Sequence, residues 1–359
     1  MPSRPFSVAR AGAALAGALL LSFAAMSDAA LEHASAIKGT GGSTATRVLA
    51  QWNFLFTKQT KINVDFAPAN SDVGIREAIA RSVDFGCTEI PLAGEELRKN
   101  ELVQFPLLIG GVVVIVNIPG VEPGALRLNP YLVSKIYLGE IKSWNDGEIR
   151  IANAGLNLPR LPIKLVVRET AASTTLALTT FLAKTDRTWA SRVGANKQPD
   201  WPVPTMQVAT VQAMGQKVQS TPGAIGYINF DEAFRNKLAY TQLRNRAGQY
   251  VKPSHETILA ATNVAGLGRT GEQIPTLVNV EGETSWPIVE VTYVLVDRKP
   301  KNLERARSTL KFFFWAFLQG DQMAAETGFV PLPSATQARV VGRFRDVVAP
   351  DNTPLDFLR

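Results

Sequence analysis

The chain has 359 residues, with 38 Lys and Arg against 31 Asp and Glu, a formal net charge of +7, and 46% hydrophobic residues. One cysteine, Cys87, excludes an intrachain disulfide, and the two histidines, His33 and His255, leave metal sites and histidine-based catalysis poorly supplied. The moderate basic excess suits an anionic ligand or partner, but no aromatic pattern alternates with the late basic cluster from Arg298 to Arg345, which therefore reads as a solvated helical face and not as a nucleic-acid surface.

Arg4 and Arg10, an apolar run from Ala11 to Ala25, and the small residues Ser27-Asp28-Ala29 predict a secretory signal peptide over residues 1–29. The run falls short of the roughly 20 apolar residues that cross a bilayer. Its removal leaves 330 residues, 36 basic and 30 acidic, for a net charge of +6. That length suits two domains, and no later stretch is long and apolar enough to span a membrane. An exported protein is expected.

Gly39-Thr40-Gly41-Gly42-Ser43-Thr44 opens a predicted helix over 45–57, with Val48, Leu49, Trp52, Leu55 and Phe56 on one face. A strand over 62–66 follows, then Asn70-Ser71-Asp72 before a helix carrying Ile75, Ile79 and Val83. Cys87 falls in a strand-like run as a small buried hydrophobe. The most apolar strand, over 112–117, ends in Pro119-Gly120 and Pro123-Gly124. A strand over 163–167 leads into Thr170-Ala171-Ala172-Ser173-Thr174-Thr175 and a helix through Leu176 to Leu182. Strands over 224–230 and 289–296 flank a turn-rich zone from Val264 to Thr276. A helix over 302–318 aligns Leu303, Ala306, Leu310, Phe313, Phe314 and Phe317 toward a core. This alternation predicts an α/β fold, with crossings between two lobes near the two turn-rich zones. Ser308-x-x-Lys311 lies inside the last helix without companion motifs and reads as chance.

Three of these loops share one design, small and hydroxyl-bearing residues immediately before an amphipathic helix. Glycines allow close backbone approach to a ligand, and the exposed N–H groups and helix dipole favour an anion. Taken alone, each loop reads first as plain N-capping by Ser, Thr, Asp or Asn. A site built from all three would combine dipole ends of roughly 0.3 to 1 kcal/mol each with charge-assisted hydrogen bonds of about 1.5 to 3 kcal/mol.

Val83-Asp84-Phe85-Gly86, Gln104-Phe105-Pro106, Ile109-Gly110-Gly111-Val112-Val113, Val116-Asn117-Ile118-Pro119-Gly120, Ile136-Tyr137-Leu138-Gly139-Glu140-Ile141-Lys142 with Trp144, Pro222-Gly223-Ala224-Ile225-Gly226-Tyr227 and Trp286-Pro287-Ile288 stand in the order of a known family. Over nearly all of the mature sequence the chain resembles the periplasmic phosphate-binding proteins that feed bacterial ABC-type phosphate importers. The resemblance implies a two-lobed periplasmic binding protein fold of type II, each lobe a doubly wound sheet flanked by helices, closing on its ligand by hinge motion. It implies lobe I over 30–115 and 265–359 and lobe II over 116–264. The implied partners are inorganic phosphate or a related oxyanion and an importer permease in the inner membrane; a monomer without cofactor, metal or catalytic activity is expected.

Carried over residue by residue, the resemblance makes Ser43, with the N–H of Thr44, the first-loop donor and Ser71 the second. Ser173, Thr174 and Thr175 occupy the start of the third helix. Glu89 stands where the family has an aspartate that accepts a proton from phosphate. Glu169 stands where the family has an arginine, and Arg168 precedes it. Adjacent strand residues face opposite sides, so Arg168 replaces that arginine only if the loop is rearranged. Either Glu169 turns outward and Arg168 reaches in, or the ligand differs. The alternative is a secreted or envelope protein of the same fold acting through protein partners with altered ligand specificity. A phosphatase using the Ser43 loop would need a metal cluster that the sequence does not supply.

Overall fold

The computed structural model describes residues 36–265, 267 and 276–358. The expected signal peptide and most of the Val264–Thr276 zone lie outside these residues. The strands in chain order are β1 (Ile37–Gly42), β2 (Val64–Ala69), β3 (Phe85–Thr88), β4 (Leu102–Val116), β5 (Arg127–Leu128), β6 (Lys164–Arg168), β7 (Met206–Val208), β8 (Ala224–Asn229), β9 (Gln242–Arg244), β10 (Tyr250–Val251), β11 (Val289–Asp297) and β12 (Val330–Pro331). The main sheet runs β2-β1-β3-β11-β4-β8-β6-β7, with β12 also on β4, while β10-β9-β5 form a small second sheet.

β4 joins the two halves. Its Leu102–Gly111 portion pairs antiparallel with β11, and Val112–Val116 pairs antiparallel with β8. At about 3.4 Å per residue, its 15 residues reach roughly 50 Å, enough to serve both halves. The partner therefore changes between Gly111 and Val112, ahead of the crossing expected near Pro119-Gly120. β4 runs without a turn from one half of the sheet to the other. A Cβ at Gly111, where the partner changes, would come within 2.9 Å of the Ile258 side chain.

Each half keeps a parallel set of strands, β2-β1-β3 in one and β8-β6-β7 in the other. Parallel strands carry their connecting helices on the faces, so their carboxyl ends and the following helix starts gather along one edge, where ligands of such sheets bind. The helix Thr46–Thr60 buries Val48, Leu49, Trp52 and Phe56 as its spacing predicts. It packs against the helix Leu303–Gln319, whose Phe312 and Trp315 meet Phe56 edge-on at 5.2 and 5.8 Å. Phe85, Phe105 and Phe313 continue this core, and Tyr137, Trp189 and Tyr227 gather around the partly buried Trp201 in the other half. Cys87 is fully buried in β3, and burial raises its thiol well above the ordinary range.

Candidate functional site

The three hydroxyl-bearing loops converge from both halves on a cavity of about 50 Å³ lined by Ser43, Thr44, Ser71, Glu89, Arg168, Ser173 and Thr174, with Asp72, Lys197 and Asn229 at its walls. One buried water needs about 10 to 15 Å³ on this measure, so the space fits a group of a few heavy atoms. β1 delivers Ser43 and Thr44, the loop after β2 delivers Ser71, and the loop after β6 delivers Ser173 and Thr174. Thr175 is not among the lining residues. It is buried, and its hydroxyl lies 2.8 Å from that of Tyr227, because one helical step past Thr174 turns it into the core.

Plain capping does not account for these hydroxyls. The helix Ser71–Ala80 is capped by Asn70, whose Oδ1 accepts from the Val73 N–H at 2.9 Å. Ser71 Oγ is free of that duty; it donates to Glu89 Oε2 at 2.7 Å and accepts from the Glu89 N–H at 3.1 Å. The helix Ser173–Thr185 begins after Ala172, and the Ser43–Ala45 turn after Gly42, neither with a side-chain cap. Their first residues, Ser43, Thr44, Ser173 and Thr174, line the cavity, and helix starts of this kind suit an anion.

Glu89 lines the floor. Burial pushes its carboxyl up, against the hydrogen bonds of Ser71, its own N–H, Thr44 and Thr292, which hold it down. Gly42 has to be glycine for this arrangement, since a Cβ there would meet both Glu89 carboxylate oxygens at 2.4 Å. Arg168, the last residue of β6, donates from Nη2 to Ala209 O at 2.6 Å, while its Nε is buried without a partner. Burial lowers its pKa from the usual guanidinium value. Glu169 is exposed and outside the cavity, its N–H held by Val208 O. Arg168 thus lines the cavity while Glu169 faces away from it.

Four residues around the cavity escaped sequence reasoning as site groups. Lys197 Nζ reaches across the cleft to Asp72 Oδ2 at 2.5 Å. Asn229, at the end of β8, donates to Glu290 Oε2 of β11 at 3.2 Å. Only Glu290 carried a local signal, a carboxylate inside the otherwise apolar run Val289–Val296. Among the described residues no cluster of His, Cys, Asp and Glu is placed to hold a metal, and no helix is long and apolar enough to cross a membrane.

Two sheet halves bridged by β4, with a small polar cavity where their strand ends meet, define a solute-binding protein of the two-lobed type II class. Residues 27–319 match the PBP superfamily domain. The phosphate-binding protein PstS of Haemophilus influenzae is 34% identical over 313 residues, 87% of this chain and 93% of that protein. PstS of Xylella fastidiosa strain Temecula1 is 36% identical over 297 residues, 83% of this chain and 81% of its own. Among solved structures, the phosphate-binding protein of Stenotrophomonas maltophilia superposes with a TM-score of 0.62 at 19% identity, covering 86% of this chain and 94% of that one. The chain belongs to the PstS family of phosphate-binding proteins.

Proposed function

We propose that this protein captures inorganic phosphate in the cavity between its lobes and delivers it to the permease of an ABC importer in the inner membrane. It acts in the periplasm after removal of residues 1–29, as a monomer with lobe I over 30–115 and 265–359 and lobe II over 116–264, and without chemistry on its ligand. The observation that carries this reading is the convergence of three hydroxyl-bearing helix starts on one cavity whose Arg168 guanidinium retains a buried, unpartnered N–H.

Ser43, Thr44, Ser71, Ser173 and Thr174 supply hydroxyl and backbone donors, and Arg168 supplies the charge. Thr175 contributes by holding Tyr227 and not by touching the anion. Glu89 accepts the hydrogen of a protonated phosphate oxygen, which sulfate lacks at neutral pH. Three dipole ends and several charge-assisted bonds reach micromolar affinity or better. Titration calorimetry of the mature protein at pH 7 and low salt tests the reading: phosphate and arsenate bind at micromolar or lower concentration and sulfate does not. No heat with any of the three would overturn it and favour an envelope protein acting through protein partners.

A further inference from the structure

Two cavity-lining residues each bury a side-chain atom without a partner, and the two atoms differ in kind. Arg168 Nε is a donor, whereas Asn229 Oδ1 is an acceptor, which a site offering only hydrogens to an anion does not explain. Asn229 closes β8 opposite Val112 of β4, and Glu290 stands on β11 opposite Gly110. Those β4 positions lie two apart, so both side chains leave the same face of the sheet. Asn229 Nδ2 donates to Glu290 Oε2 at 3.2 Å, which leaves Oδ1 as the end of the amide without a partner. Asn229 is 3% exposed, so that oxygen is shut off from bulk water, and a buried acceptor left empty costs about 1 to 3 kcal/mol.

The charges around this point favour a singly charged ligand. Glu89 follows β3, Arg168 ends β6, and Lys197 meets Asp72 across the cleft. Glu290 comes from β11, and Asp231 and Glu232 open the helix Phe230–Arg235, where Arg235 pairs with both. Among the described residues lining the cavity, Arg168 is the cation left to balance an anion, and one guanidinium balances one negative charge. Burial raises Tyr227, two residues earlier on β8, to about 12 and Asp231 to about 6. Burial, with Glu89 behind it, raises Glu290 to about 8, so its own titration has to be separated from that of the ligand.

We infer that Asn229 is a specificity-determining residue whose Oδ1 accepts a hydrogen from the bound anion, so that with Glu89 it selects phosphate carrying two hydrogens and one negative charge. The inference rests on the phosphate reading above for the identity of the anion. Doubly charged phosphate has one hydrogen. It satisfies Glu89 and turns a bare oxygen toward Asn229 Oδ1, lone pair against lone pair. Sulfate at neutral pH has no hydrogen and meets that conflict at both acceptors.

The test is calorimetric titration with inorganic phosphate, from pH 6 to 9, of the mature protein, Asn229→Ala and Glu290→Gln. Above phosphate's second ionisation the two-hydrogen form declines with pH, so the apparent affinity of the parent falls about tenfold between pH 8 and 9. Glu290→Gln cannot titrate at that position and keeps the fall. Asn229→Ala leaves room for a water that donates or accepts, and its affinity changes by less than about twofold over the same interval. A parent affinity that is flat from pH 8 to 9 overturns the inference, as does a fall that disappears in Glu290→Gln or survives undiminished in Asn229→Ala. Titrations of the parent and Glu290→Gln at pH 8.5 in two buffers of different ionisation heat give a second reading, about one proton taken up per phosphate bound. No uptake overturns the inference even if Asn229→Ala does not fold. Absence of binding at every pH is a different result: it overturns the phosphate reading, and the inference with it.

Discussion

Replacing Arg168 by Met separates a residue kept for a ligand from one kept for the fold. Of the two cations lining the cavity, Lys197 is engaged by Asp72, which leaves Arg168 as the charge directed at an anion. In the ligand-free protein Arg168 makes one side-chain hydrogen bond, to Ala209 O at 2.6 Å, and buries Nε without a partner. One modest bond against one unsatisfied donor and a desolvated charge nearly cancel, so stability changes by less than about 1 kcal/mol. With phosphate bound, the same deletion strands a charge. Loss of one partner of a buried charged pair costs about 2 to 5 kcal/mol, and the lower half of that range applies because Arg168 is only partly buried. Phosphate affinity therefore falls by about 30- to 300-fold. Calorimetric titration and urea unfolding on the same preparations check both halves of the claim. An affinity change below about threefold, or a stability loss equal to the affinity loss, would refute the reasoning.

Glu89→Gln replaces an acceptor-only carboxylate by an amide whose NH2 can donate to an unprotonated anion oxygen, so the preference for phosphate over sulfate drops at least about tenfold; competition binding with both anions checks this, and an unchanged preference contradicts the role given to Glu89. Lys197→Ala breaks a pair whose side chains are 42% and 45% exposed, and costs less than about 1 kcal/mol in both unfolding and binding. Stability should also fall as pH rises from about 4 to 8. Glu290 is raised from 4.5 to about 8 and Asp231 from 3.8 to about 6, so the folded state holds protons that the unfolded chain has released. At 1.36 kcal/mol per unit a shift of this size amounts to a few kcal/mol. Glu290→Gln recovers that amount at pH 8.5 and little at pH 4.5, measured by denaturant unfolding; equal gains at both pH values contradict it.

Much of the framework is local and was legible in the chain. The aromatic faces of the Thr46–Thr60 and Leu303–Gln319 helices follow from spacing, and Ser43, Ser71 and Ser173 stand out because each sits where a strand end meets a helix start. What was not legible depends on long-range placement. Arg168 was judged by strand parity, but it is the last residue of β6, and the loop beyond it sends Glu169 outward. Thr175 shares its chemistry with Ser173 and Thr174, and only helical rotation against Tyr227 takes it away from the cavity. Asn229 and Lys197 carry no local signal; they matter because β8 and the loop before β7 are brought opposite Glu290 and Asp72, residues 61 and 125 positions away.

The measurement closest to the central claim is a crystal structure of the mature protein grown with arsenate, using the anomalous signal of arsenic to place the anion. The account predicts a single strong peak in the cavity, within hydrogen-bond reach of Ser43, Ser71, Ser173 and the Arg168 guanidinium, with one anion oxygen against Glu89. An empty cavity, or arsenic bound only on the outer surface, would contradict it.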